Sequence, residues 1–351
     1  MRPTRSLCLL LLALTLAAPA FAVPGATDRV PASTLLVPFF ETGINSTTNP
    51  HDTLLVVTNW LFGSVTFHYH VWDIDGNATG LNGNITLNSL DSWSAALRDL
   101  LNTTSPAVRT QLTEGAFYRG FITIDVVTAA TALNPREASY PFSSNNALEG
   151  FIYYTRLSQG SANGLAMVPV ESVPGTTDSF MTGFYSSGDD REEIDSTSRF
   201  CTNQLATTPG TTTACSTGSD DSDIDRFHLR IFRSTPLTGS SRGVIFTWRP
   251  GAVGGPSVYC DGPDPCSPTY IFRQYDEDGT FVQDTTIRLD HVVNVIENSQ
   301  IVGAQAGWLS ILDVPNAQID TQVYAFSINS AAPAGNPNLT WDAIFEGYIV
   351  P

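Results

Sequence analysis

The sequence predicts an all-β protein, built as two β-sandwich-like domains or as one large elaborated sandwich, with one short helix. Short β-branched and aromatic runs alternate with Gly, Pro, Asn and Asp along most of the 351 residues. The runs number about fifteen, against roughly seven to nine strands in one ordinary sandwich. Apolar residues make up 42% and charged residues 15%, a balance that packs cores and excludes both a disordered acidic tail and a collagen-like fibre.

Taken from the N-terminus, Arg2 and Arg5 precede an apolar run over 7–18 and then Ala20-Phe21-Ala22. The run is shorter than the roughly 20 residues of a membrane span. Residues 1–22 therefore read as a secretory signal with a small-x-small cleavage site. Strands are expected over 35–41, 53–59, 64–74 and 84–88. A helix is expected over 91–101, where Trp93, Ala96, Leu97, Leu100 and Leu101 recur at helical spacing behind an acidic start. A second short turn over 106–112 and strands over 117–127, 150–157 and 164–170 complete an N-terminal domain, 23–186. Strand periodicity then stops. Residues 187–225 are rich in Asp, Thr, Ser and Gly, as in a functional loop or a linker. Strands over 227–233, 243–249, 269–275, 280–289, 291–296, 307–313, 321–327 and 341–350 make a C-terminal domain, 226–351. No repeat of fixed period is visible, although two halves of similar strand count are compatible with a diverged duplication.

All 17 basic residues are Arg, against 34 acids, for a formal charge of −17. The absence of Lys excludes Schiff-base catalysis, a P-loop phosphate grip and Lys-based isopeptide crosslinks. The acidity repels nucleic acid and anionic membranes. Four cysteines remain after the signal: Cys201, Cys215, Cys260 and Cys266. An even number in an exported chain favours two disulfides, with Cys201–Cys215 and Cys260–Cys266 the simplest of three pairings. A four-Cys zinc site lacks the short spacing of a zinc knuckle.

Several segments carry a likeness: Leu35-Leu36-Val37-Pro38-Phe39-Phe40-Glu41, Val71-Trp72-Asp73, Leu97-Arg98-Asp99, Arg119-Gly120-Phe121-Ile122-Thr123-Ile124-Asp125, Gly307-Trp308-Leu309 and Trp341-Asp342-Ala343-Ile344. In this order they resemble a family of uncharacterised secreted bacterial β-rich proteins with no assigned activity. The resemblance implies export and a β-rich fold, and transfers no catalytic residue. The Thr-rich segment around Cys201 departs from that pattern.

Strand alternation places Thr66, His68, His70 and Trp72 on one face and Val65, Phe67, Tyr69 and Val71 on the other. His68 and His70 at i, i+2 could hold a metal with a third ligand from elsewhere. The plainer reading is a polar sheet face, and Trp72 with the His rings could form a stacking platform for a sugar or a peptide. The acidic clusters in 187–225, with Asp189, Asp190, Asp220, Asp221 and Asp223 as donors, are candidates for one structural calcium. Asp73-Ile74-Asp75-Gly76 and Asp276-Glu277-Asp278-Gly279 carry the D-x-D-G core of an EF-hand loop but fail its first and last positions, and read as hairpin turns. Gly239-Ser240-Ser241-Arg242-Gly243 matches G-x-S-x-G by its letters alone, because a nucleophile elbow needs strand, Ser and then helix. Arg226, His228 and Arg230 share a strand face beside the Asp220 cluster and are expected to pair with it.

The function read from these residues is a secreted, non-enzymatic β protein with a structural, surface or adhesion role. The alternatives are an extracellular carbohydrate-binding module using Trp72 and a metal-dependent enzyme using His68 and His70. No catalytic residue or cofactor is assigned. The expected partners are a glycan or protein surface, or another copy joined through the terminal strands 35–41 and 341–350. The expected location is extracellular, at the cell surface or periplasmic.

Overall fold

The computed structural model describes residues 30–44, 51–137, 139–156, 161–170, 172, 175, 226–231, 237–248, 269–276, 278–288, 291–297, 307–313, 322–333, 341–346 and 348–350. The expected signal over 1–22, the acidic segment with its calcium candidates, and the four cysteines lie outside these residues. The strands are β1 (Thr34–Gly43), β2 (His51–Asn59), β3 (Val65–Trp72), β4 (Ala78–Leu87), β5 (Ser92–Ala96), β6 (Thr113–Glu114), β7 (Phe117–Val127), β8 (Leu148–Arg156), β9 (Ser161–Ala166) and β10 (Val168–Val170). They continue with β11 (Arg226–Ile231), β12 (Leu237–Trp248), β13 (Thr269–Asp276), β14 (Phe281–Arg288), β15 (Val293–Glu297), β16 (Gly307–Asp313), β17 (Gln322–Pro333), β18 (Trp341–Glu346) and β19 (Tyr348–Val350). Two short helices, α1 (Leu97–Asn102) and α2 (Pro106–Gln111), lie between β5 and β6. The protein is all-β with antiparallel pairing. Among the described residues no helix is long and apolar enough to cross a membrane.

In the first half, one sheet has the order β10-β1-β7-β3-β4, with β6 added to β7, and a second has the order β5-β2-β8-β9. Their facing sides bury Leu35, Val37 and Phe40 of β1, Leu55 and Val57 of β2, Phe67 and Val71 of β3, Ile122 and Ile124 of β7, and Ile152 of β8. These are alternate positions, as a sandwich requires. β1 is buried along its whole length. It also carries Pro38, which has no N–H for a ladder; the pairing with β7 shifts register between Val37 and Phe40, so the proline sits in the irregularity. β1 pairs on both sides, with β10 and β7. The pairing with β10 takes in Thr34–Leu36, and that with β7 runs from Thr34 to Gly43, both within the same chain.

The second half repeats this topology. Its sheets run β14-β13-β16-β11-β19 and β15-β12-β17-β18, which is the first pair of sheets with β11 for β1, β13 for β3 and β16 for β7. The register repeats too. Thr34 faces Asp125 and Val170, and Arg226 faces Leu312 and Val350. Trp72 faces Ala78 and Phe121, and Tyr275 faces Phe281 and Trp308.

The two D-x-D-G stretches are the turns of the equivalent hairpins. Asp73 Oδ1 accepts from the backbone N–H groups of Asp75 and Asn77 at 3.0 and 2.8 Å, and Asp276 Oδ1 accepts from those of Asp278 and Thr280 at 3.0 and 2.7 Å. Gly76 and Gly279 have φ of 81° and 77°, the left-handed conformation that glycine adopts freely.

Four expectations are corrected. The helix over 91–101 begins only at Leu97; before it, β5 pairs with β2, and Trp93 packs on the rings of Phe67 and Tyr69 at 5.6 and 5.7 Å. The turn over 106–112 is a true helix, with Pro106 at its start and Ser105 as N-cap, so there are two helices among the described residues rather than one. The single strand expected over 164–170 is two: β9 pairs with β8 in one sheet and β10 with β1 in the other, the chain crossing at Met167. Likewise 341–350 divides into β18 on β17 and β19 on β11. Ser241 lies in β12, paired to Asn329 of β17, which is no setting for a nucleophile elbow.

Candidate functional site: a buried layer under residues 128–147

The outer face of β3, opposite the sandwich core, carries His68, His70 and Trp72. It is not a solvated face. The connection from β7 to β8, residues 128–147, folds back across it, and His68, His70 and Trp72 are all buried. This cover is tied down at several points. The side chain of Asn84 on β4 donates to Thr131 O at 2.6 Å and accepts from Thr131 N–H at 3.0 Å. The N–H of Thr128 bonds Pro141 O and that of Ser143 bonds Val126 O. Arg136 donates to Gly76 O in the β3–β4 turn, and its guanidinium stands 4.4 Å from the Trp72 ring centroid.

A hydrogen-bonded chain connects the cover to the sheet. Tyr140 Oη donates to Asp125 Oδ2 at 3.1 Å, and Thr34 Oγ1 on β1 donates to Asp125 Oδ1 at 2.6 Å. His68 Nδ1 lies 3.0 Å from Tyr140 Oη. Because the one Tyr140 proton goes to Asp125, Tyr140 accepts from the imidazole, which places the His68 proton on Nδ1. Trp72 Nε1–H donates to Thr123 Oγ1 at 2.9 Å.

Burial governs the charge states. It pushes the Asp125 carboxyl up to about 6, against the opposing hydrogen bonds from Thr34 and Tyr140. It lowers His68, and the contact of Nε2 with Asn82 only partly offsets this. His70 is held down to about 3, first by burial and then by the charges of His68 and Arg136. Burial, followed by the neighbouring Asp125, raises the Tyr140 phenol. Neither ring nitrogen of His70 has a hydrogen-bond partner. Its ring lies 4.4 Å from that of Trp72 and 6.0 Å from that of His68.

Each site expectation now has a position. His68 and His70 share a face as read from the alternation, but His68 Nδ1 faces Tyr140 and Nε2 lies 3.4 Å from Asn82 Oδ1. Among the described residues no group of three or more His, Cys, Asp or Glu side chains comes together to hold a metal. Trp72 is wholly buried, which corrects its reading as an exposed stacking platform. Arg226, His228 and Arg230 lie on β11, paired with β16 and β19. Asp125, Tyr140, Thr34 and Arg136 escaped the sequence reading. For Asp125 a signal existed: it is the one acid on the strand Phe117–Val127, where both faces are otherwise apolar or small over the last positions.

No family model and no curated protein matches the chain. Among solved structures it is similar to the lectin from Pleurotus ostreatus in complex with GalNAc, at 9% identity and a TM-score of 0.19, over 93% of this chain and 79% of that one. It is also similar to the apo form of the Pleurotus ostreatus lectin, at 10% identity and a TM-score of 0.17, over 93% and 78% of the two chains. A likeness this slight brings neither fold nor ligand to the chain.

Proposed function

We propose that the chain is a secreted, non-enzymatic β protein with a structural, surface or adhesion role, related to the family of secreted bacterial β-rich proteins that its strand motifs resemble. One observation supports this most. The chain of groups from His68 through Tyr140 and Asp125 to Thr34 is buried throughout, and it joins the 128–147 cover to β3, β7 and β1 instead of facing a substrate. Groups so placed give conformational rigidity when every member is satisfied. The metal-enzyme reading has no third ligand beside His68 and His70 among the described residues, where no group of three or more His, Cys, Asp or Glu side chains comes together.

Elemental analysis and cell fractionation test the proposal together. Purified mature protein should carry no stoichiometric zinc, copper or iron, and His68→Ala should lower thermal stability without changing metal content. Stoichiometric metal lost in His68→Ala would overturn the non-enzymatic reading. Accumulation of the full-length chain in the cytoplasm, with the N-terminal 22 residues retained, would overturn secretion.

A further inference from the structure

At the end of the first sandwich where β2 passes to β3, apolar side chains project into solvent from a backbone that is tightly held. Trp60, Phe62 and Leu90 are 51%, 90% and 54% exposed. Beneath them Asn59 is buried and uses its whole amide: Nδ2 donates to Gly63 O at 2.7 Å and Asn88 O at 2.8 Å, and Oδ1 accepts from Leu61 N–H at 2.9 Å. Backbone bonds run from Asn59 N–H to Asp91 O, from Trp60 N–H to Ala147 O and from Leu90 N–H to Leu61 O. Residues 59–64, 88–91 and 147–149 thus form one preorganised apex, with little ordering left for a ligand to impose.

Two features distinguish this apex from an ordinary loop cluster. Leu90 has φ of 56°, the one positive value at a residue other than glycine among the described residues. An apolar side chain is kept outward there in a conformation that favours glycine, and such outliers collect at ligand clamps. The Trp60 indole N–H donates to Glu149 Oε2, so an exposed aromatic ring is locked beside a carboxylate. Asp91 lies at the same end and is exposed.

We infer that this apex binds a glycan of neutral or amino sugars, with Trp60 and Phe62 against the C–H faces of the rings and Glu149 and Asp91 accepting from hydroxyl or ammonium groups. Aromatic faces beside carboxylates match the two chemistries of a sugar, its apolar ring face and its hydroxyl rim. Charge selects against the other occupants. The apex segments contain acids and no Arg, in a chain of net charge −17, which disfavours anionic lipid and sulfated or phosphorylated ligands. The three side chains expose roughly 400 Å², about half of what one partner contributes to a standard protein interface. The inference rests on the non-enzymatic reading in one respect, that the sugar is held and not cleaved.

The test is calorimetric titration of the mature protein with soluble hexasaccharides of glucose, N-acetylglucosamine, mannose and xylose, together with co-sedimentation on cellulose and chitin. At least one of these should bind, Trp60→Ala and Phe62→Ser should each weaken binding by about tenfold or more, and Glu149→Gln by several-fold, as expected where stacking and a charged hydrogen bond are removed. Phe62 is almost wholly solvated, so Phe62→Ser keeps the test valid if Trp60→Ala impairs folding. Absence of binding to every probe, unchanged affinity in the Trp60→Ala/Phe62→Ser double variant, or binding to phosphatidylcholine vesicles in place of the saccharides would overturn the inference. Mass spectrometry of the bound saccharide separates the two readings: shortened products dependent on Trp60 would support the apex and overturn the non-enzymatic role.

Discussion

His68 and Asp125 face each other across the β3–β7 ladder, yet their polar atoms are joined through a third residue, Tyr140, which arrives from outside the sheet. Neighbouring strands bring the imidazole and the carboxylate side by side, as they do for any directly opposed pair. The phenol then stands between them and converts a pairing within the sheet into an attachment for the 128–147 cover.

Removal of that phenolic oxygen should release the cover and leave the sandwich intact. Tyr140→Phe leaves Asp125 Oδ2 and His68 Nδ1 buried without their partner, which costs about 1–3 kcal/mol for an unsatisfied group. Thermal denaturation should show the loss. Hydrogen exchange should accelerate in residues 128–147 while β1 and β7 stay protected, and uniform acceleration across β1 and β7 would contradict a local fastening role.

The same layer sets opposing pH dependences. His70 is held down to about 3, so its contribution to stability is complete above the unfolded value near 6.5 and is lost as pH falls toward 3. Asp125 is pushed up to about 6, so its contribution is complete below its unfolded value near 3.8 and is lost as pH rises through about 6. Between these limits each masks the other. The groups acting on His70 are His68 and Arg136, and those on Asp125 are Thr34 and Tyr140. His70→Leu removes two orphaned ring nitrogens, and its thermal midpoint should fall less than that of the wild type between pH 7 and pH 5. Asp125→Asn should show the reverse, a steeper acid loss. Parallel pH profiles for all three proteins would exclude titration in this layer.

Gly120 offers a test of the sheet itself. A Cβ on this residue would lie 2.0 Å from the Trp72 backbone oxygen and 3.1 Å from the Phe40 ring, and a backbone oxygen in a central ladder cannot move aside cheaply. Gly120→Ala should therefore cost at least the 1–3 kcal/mol typical of overpacking, read as a lower urea midpoint. A midpoint equal to that of the wild type would show that β3 and β7 are more loosely joined than their register implies.

These contrasts explain what could be read from the chain alone. β7 and β16 coincide with their expected bounds, 117–127 and 307–313, because aromatic and aliphatic residues recur along each with period two. β5 was hidden because Trp93 and the alanines fit a helical spacing as well as a strand, and only the pairing with β2 decides between them. The topological repeat was hidden because equivalent positions share size more than identity: Trp72 with Tyr275, and Phe121 with Trp308. The Asp-x-Asp-Gly turns repeat by letter. At the site, alternation placed His68, His70 and Trp72 on one face. Their cover could not be read, since Tyr140 is 72 residues from His68 in a connection with no strand pattern. Burial of that face is a tertiary event.

Leu90 gives the most direct separation of stability from binding. Its left-handed backbone costs about 1–2 kcal/mol for a residue with a side chain, and its side chain is half in solvent, so little packing is lost with it. Leu90→Gly relieves the backbone and should raise the thermal midpoint, against the usual direction for a large-to-small change. The same substitution removes apolar surface from the apex and should weaken any saccharide bound by Trp60 and Phe62 by several-fold. The gain in stability is partly offset by the greater freedom of glycine in the unfolded chain, and for that reason Leu90→Asn, which tolerates the same conformation, is the matching control. If both variants are less stable than the wild type, the leucine is held by packing that outweighs its backbone, and the apex is a piece of the core rather than a surface built for display.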